Sequence, residues 1–311
     1  MKPTVLYSPE PARGWLPWGA LAPVLCLFLV ALPAIAAWKV ENFFGLVDVK
    51  GVPTGFAGFC SLLFFDFGVT GAILLAWVRW VEKRTLPTIG LVADRGLRRF
   101  VRGLGVGLAT SGLVVALIGL AGGYATGELF PALRSPTAVL KIAVLLAGFA
   151  VQSSVEEILF RGWLLSAVAR KLNLTLGVFL TSLVFMMLHY SPHQAWDLML
   201  GTFVFSLFAC AWALESGSIW GVMGWHAAWN WLIGVGFELP ITGLNLDLPA
   251  LLVQLTPVGG RSMNGGVQGP EGSFLCTLFF ASASAFLFLR NRQRRQRRGG
   301  TGILVGTAGP G

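Results

Sequence analysis

Eight runs of predominantly apolar residues divide this chain, at 16–38, 54–81, 100–124, 137–168, 174–189, 195–214, 219–237 and 274–289, and they dictate the solvent in which it can fold. A helix needs about 20 apolar residues to cross the hydrocarbon of a bilayer, and in lipid every backbone N–H and C=O must find a partner inside the protein. Helices meet that condition locally. The runs are continuous and lack the apolar/polar alternation, about ten residues at a time, of outer-membrane barrel strands. The expected fold class is therefore all-α, a polytopic membrane protein with about eight transmembrane helices forming one bundle. Composition agrees, since 55% of residues are hydrophobic and 12% charged, against about 25% charged in ordinary soluble domains. The fifth run is short and the fourth long, so those two boundaries are the least defined.

The net charge of +9 is unevenly placed. Lys83, Arg84, Arg95, Arg98, Arg99 and Arg102 follow the second run, Arg170 and Lys171 the fourth, and Arg290, Arg292, Arg294, Arg295, Arg297 and Arg298 the eighth. Under the positive-inside rule these segments are cytoplasmic. An even number of spans then leaves both termini in the cytoplasm and puts the cation-poor loops 39–53, 125–136 and 238–273 outside. A basic stretch at the end of a span meets anionic lipid headgroups far more often than nucleic acid, so the bilayer is an expected partner and nucleic acid is not. The first run is over-long for a signal peptide, has only Lys2 and Arg13 before it, and lacks a clear cleavage site, so it reads as retained. Cys26, Cys60, Cys210 and Cys276 all lie within apolar runs without a C-x-x-C pair, and they read as small buried hydrophobes.

No internal repeat is visible, so 1–298 reads as one transmembrane domain and the Gly-rich 299–311 as a disordered cytoplasmic tail. The polar linker 85–99 is expected to hold a short interfacial helix. The loop 239–272, with Pro240, Pro249, Pro257 and the Gly259-Gly260 and Gly265-Gly266 pairs, is expected to be irregular and mobile.

Three polar constellations interrupt the apolar runs: Glu156-Glu157-x-x-x-Arg161, Phe185-x-x-x-His189 and His226-x-x-x-Asn230. An ionised group at membrane depth costs roughly 2.5–3.5 kcal/mol on insertion scales, which marks such residues as functional candidates. On a helix, residues four apart share a face and neighbours are turned by about 100°. Glu157 and Arg161 therefore form a charge pair, while Glu156 is left for a water-filled cavity as the better general base. Counted from Arg170 and Lys171, Glu156 and His189 lie about fourteen to eighteen residues in, roughly 21–27 Å at 1.5 Å per residue, and His226 and Asn230 are somewhat shallower. A carboxylate, two imidazoles and an amide meeting in a bundle core make a hydrolase-like set. Asp66 is read as a hydrogen-bonding partner for a neighbouring helix, and His193 and Glu215 as surface residues near span ends.

The order E-E-x-x-x-R, F-x-x-x-H, H-x-x-x-N on separate membrane helices resembles the CAAX-processing and bacteriocin-processing (CPBP, or Abi) intramembrane proteases, over about 84–231. Arg84-Thr85-Leu86 and Ile89-Gly90-Leu91 are similar to that family's entry to its core. The resemblance implies that Glu156 activates water with Glu157 and Arg161 supporting it, that His189 positions or polarises that water, and that His226 and Asn230 stabilise the oxyanion. It also implies a membrane-associated or lipidated peptide substrate and a multi-pass protein of a bacterial inner membrane. No cofactor is certain. Zinc, if bound, would use His189, His226 and Glu156, although there is no H-E-x-x-H and the ligands would come from three helices. Two other classes fit the same polar groups: a proton- or ion-coupled transporter, against which the lack of an inverted repeat speaks, and a non-catalytic immunity protein on the same fold.

Overall fold

Each apolar run folds as a helix in the computed structural model, which describes residues 6–190 and 196–300. In chain order these are α1 (Ala22–Phe43), α2 (Gly55–Val81), α3 (Gly96–Leu120), α4 (Pro136–Lys171), α5 (Leu174–Leu188), α6 (Trp196–Ser216), α7 (Trp220–Trp231) and α8 (Phe274–Gly300). Among the described residues six helices, all but α5 and α7, are long and apolar enough to cross a membrane. The result is a polytopic helical membrane bundle. His193 and the tail beyond Gly300 lie outside the described residues.

Lipid-facing and inward-facing surfaces separate by helix. Phe28, Leu32 and Ile35 of α1 and Leu113 and Leu117 of α3 are exposed, as side chains solvated by acyl chains should be. The α7 helix is the reverse, with every residue from Gly221 to Asn230 buried. It packs against α3 through glycines: a Cβ at Gly103 would collide with the Gly221 carbonyl, and one at Gly224 with the Phe100 carbonyl. Backbones in contact gain dispersion where lipid offers no hydrophobic drive.

At the basic end of the bundle a buried ion pair ties α2 to α4. Glu82 accepts from Arg84 at 3.1 Å, from Trp77 Nε1 at 3.0 Å and from Trp163 Nε1 at 2.7 Å. Arg84 in turn donates to the Thr88 carbonyl at 2.8 Å and to Ser166 Oγ at 2.7 Å. Burial pulls the Arg84 guanidinium below its ordinary value, and Glu82 beside it opposes that pull. The linker 85–99 is therefore not an interfacial helix. Leu86–Ile89 is one 3₁₀ turn with Thr88 and Ile89 buried, because Arg84 needs its carbonyl and hydroxyl as acceptors. The N-terminal segment runs beneath this network, with Gly14 and Trp15 bonding the Glu82 and Val81 carbonyls at 2.9 and 3.0 Å.

At the other end the helical bundle carries one small two-stranded addition. Tyr124–Leu129 (β1) pairs antiparallel with Val253–Pro257 (β2), Tyr124 opposite Pro257 and Leu129 opposite Val253, with an irregularity between Thr126 and Leu129. The loop 239–272 is thus not irregular throughout. Most of its Pro and Gly residues flank a paired strand that ends on Pro257, and a partner more than a hundred residues away leaves no local signature.

Candidate active site

Ser135 and Pro136 start α4 at a defined point, the Ser135 side chain accepting from the Ala138 N–H and Pro136 occupying the first turn. From there the helix carries Gln152 and Glu156 on one face, four residues apart. It then widens into a π-turn, Ile158–Leu164, directly after the two glutamates. Such wide turns are characteristic of functional sites. Gly162 lets this turn approach the Ile89 carbonyl, and Tyr7 OH caps it by donating to the Arg161 carbonyl at 2.7 Å. Burial pushes the Tyr7 phenol upward, so it stays a neutral donor.

The two glutamates differ in surroundings. Glu157 is fully buried, and its Oε1 accepts from Arg161 Nη1 at 3.0 Å and from His226 Nδ1 at 2.9 Å. A carboxylate held by arginine accepts and does not donate, so the His226 ring carries its proton on Nδ1 and turns Nε2 outward. There Nε2 stands 3.8 Å from Oε2 of Glu156, whose side chain is 12% exposed. One buried carboxylate thus orients the imidazole from behind and the other faces it from the front.

Phe185 explains its own place in the second constellation. Its ring lies 4.5 Å from the Arg161 guanidinium carbon and 4.3 Å from the His189 ring. It gives the arginine a cation–π face where the Arg161 Nε and Nη2 atoms find no hydrogen-bond partner among the described residues. His189 Nδ1 donates to the Phe185 carbonyl at 2.8 Å, which again leaves Nε2 as the free acceptor. Asn230, one turn beyond His226 on α7, donates through Nδ2 to Gln152 Oε1 at 3.2 Å, and that same oxygen accepts from Ser153 Oγ at 2.9 Å.

Glu156, His189, His226 and Asn230 all line one cavity of about 650 Å³. Its walls are largely apolar, with Phe160, Phe185, Phe205 and Phe280 among them. Glu157 and Arg161 lie behind the wall. Among the polar residues of this cavity that sequence reasoning passed over are Gln152 and Glu271. Gln152 sits four residues before Glu156, which was the available signal. Glu271 had none, since it reaches in from the 239–272 loop to accept from Trp229 Nε1 at 2.9 Å and from Thr242. Asp66 also lines the cavity and faces Glu41 of α1, a carboxyl partner across helices. Glu215, read as a surface residue, is instead 14% exposed and paired with Arg290 at 3.2 Å, because α8 covers it.

As for zinc, no three His, Cys, Asp or Glu side chains among the described residues are gathered closely enough to hold one ion. Glu156, His189 and His226 share the cavity without forming that donor set.

A polytopic membrane bundle with Glu, His and Asn side chains lining one internal cavity is the class that the fold and site define. Residues 137–232, which contain all three constellations, match the family model for Rce1-like type II CAAX prenyl endopeptidases. The match supports the resemblance to the CAAX-processing and bacteriocin-processing proteases that the motifs carry. No curated protein and no solved structure matches the chain.

Proposed function

We propose that the protein is an intramembrane endopeptidase that hydrolyses a peptide bond in a membrane-associated or lipidated peptide, with both of its own termini in the cytoplasm of a bacterial inner membrane. The observation that carries this reading is the His226 ring, gripped by Glu157 at 2.9 Å on one nitrogen and presented to Glu156 at 3.8 Å on the other. Ion-pair clamps need no such second carboxylate on the cavity side.

In the reaction, a water between Glu156 and His189 gives its proton to the Glu156 carboxylate while its oxygen attacks the scissile carbonyl. The His189 Nε2 accepts a hydrogen bond from the water's other O–H, which stays on the oxygen, and aims the lone pair. The carbonyl oxygen becomes an oxyanion and takes a hydrogen bond from the Asn230 amide. His226 Nε2 enters as an acceptor, so it must first receive a proton before it can donate. The proton collected by Glu156, 3.8 Å away, supplies it through a bridging water. The imidazolium so formed, flanked by Glu157, donates first to the oxyanion and then to the leaving nitrogen as the C–N bond breaks. The apolar walls fit an apolar peptide segment or a prenyl chain.

Cleavage of lipidated and unlipidated membrane peptides by the full chain in detergent and in proteoliposomes tests this reading. Glu156→Gln should lower kcat by at least 100-fold and a chelator should leave it unchanged. Equal cleavage by both variants would remove Glu156 as base; loss of cleavage with chelator alone would install a metal. Proton flux that depends on Glu156, without peptide cleavage, would make the protein a transporter.

A further inference from the structure

We infer that Gln152 is a further residue of the reaction centre: it fixes the Asn230 amide and adds its own N–H donors to the place where the oxyanion forms. The inference rests on the proteolytic reading above and goes beyond the residues which that reading assigns. Gln152 sits on the same face of α4 as Glu156 and one turn away, so their Cβ atoms are about 5–6 Å apart. It is 7% exposed, and what exposure it has is to the cavity that Glu156 and Asn230 line.

The hydrogen-bond inventory of a primary amide is two acceptor lone pairs on the oxygen and two N–H donors. Both lone pairs of Gln152 Oε1 are taken, by Asn230 Nδ2 at 3.2 Å and by Ser153 Oγ at 2.9 Å. The side chain is therefore fixed at its oxygen, and Nε2 with both donors is left over. Nε2 has no protein partner among the described residues, and it does not belong to the buried orphan atoms such as Glu157 Oε2. It opens onto the cavity. A purely structural glutamine in a bundle core would spend its donors on a helix carbonyl, and this one does not.

The same bond acts on Asn230. One N–H of the Asn230 amide is committed to Gln152, which sets the plane of the group and directs the second N–H into the cavity. Two amide donors from α4 and α7 then converge beside the base, an arrangement suited to a carbonyl oxygen gaining charge and of little use to a neutral ground-state carbonyl already solvated by water. Their effect belongs in kcat more than in KM.

Steady-state cleavage of one membrane peptide by the full chain in detergent, with thermal unfolding of each variant in the same buffer, tests the inference. Gln152→Met keeps volume and removes both functions; kcat should fall by about 10- to 100-fold with KM within about threefold, the range seen on losing one or two oxyanion contacts. Gln152→Glu keeps the acceptor that holds Asn230 but puts a carboxylate where the donors were, and kcat should fall at least as far. In a double-mutant cycle with Asn230→Ala, the two losses should be strongly non-additive. If Gln152→Met leaves kcat within twofold while Glu156→Gln is inactive, this inference fails and the proteolytic reading stands. If Gln152→Glu is as active as wild type, Gln152 acts through Asn230 alone and its donors are not used. If wild type cleaves nothing and Glu156→Gln changes nothing, both fall together.

Discussion

Glu157→Gln separates orientation from folding at the centre of the site. In the native protein one oxygen, Oε1, serves Arg161 at 3.0 Å and His226 at 2.9 Å with all three side chains buried. Two unit charges 3–4 Å apart interact by roughly 4–5 kcal/mol at an effective dielectric near 20. Part of that offsets the cost of desolvating them, and removing one partner of a buried pair typically destabilises by about 3–5 kcal/mol because the other charge is stranded. Glu157→Gln strands Arg161, whose Nε and Nη2 already lack partners among the described residues. At roughly 2–4 °C per kcal/mol for a chain of a few hundred residues, the unfolding midpoint in detergent should drop by about 10 °C. Cleavage should also fall, by about 10²–10⁴, because an imidazole deprived of its carboxylate no longer keeps the tautomer that turns Nε2 to Glu156. The double variant Glu157→Gln with Arg161→Met removes the stranded cation and should recover most of the midpoint but none of the activity. Recovery of both would refute the reasoning, since the lost cleavage would then have been lost folding.

Other consequences are equally measurable. Glu271→Ala frees Trp229 Nε1 and the Thr242 backbone, and limited proteolysis within 239–272 should quicken several-fold while KM rises and kcat holds. Gly224→Ala forces a methyl into the Phe100 carbonyl and should push α7 from α3. The expected cost is about 1–3 kcal/mol of overpacking, read as a lower midpoint, with activity lost out of proportion because His226 rides on α7. Glu82→Gln weakens a carboxylate that serves Arg84, Trp77 and Trp163 together. It should lower the midpoint by several degrees while a peptide cleaved at permissive temperature keeps its KM, since none of these groups reaches the cavity.

What the sequence revealed and what it hid divide along sequence separation. The helices were legible because a membrane span is a local property: twenty apolar residues in lipid have no alternative but to bond their own backbone. The Glu157–Arg161 pair was legible for the same reason, being four residues apart on one helix. The bond from Glu157 to His226 joins residues on α4 and α7, and no periodicity reports it. It also changes the chemistry, since it fixes the His226 proton on Nδ1 and makes Nε2 an acceptor at rest. Gln152 escaped notice because a neutral amide carries little insertion penalty, and the argument from membrane depth sees charges first. Glu271 and β2 escaped because Gly- and Pro-rich sequence signals turns well and long-range pairing not at all.

The hidden contacts also bear on why the site holds together in a medium hostile to it. Glu157 Oε2 and two nitrogens of Arg161 are buried without hydrogen bonds among the described residues, each a defect of about 1–3 kcal/mol if uncompensated. The compensation comes from groups around them: Phe185 covers the guanidinium at 4.5 Å, and Tyr7 pins the π-turn through the Arg161 carbonyl at 2.7 Å. Packed aromatic edges and one phenol hold still what the charges alone would let move. A water admitted to the stranded atoms would solvate the Glu157–Arg161 pair and weaken the charge with which Oε1 holds the imidazole. Keeping Glu157 dry while Glu156 stays wet is therefore the condition for two adjacent carboxylates to do different work. The i to i+1 turn of about 100° on α4 achieves it, by placing one behind the wall and the other in front.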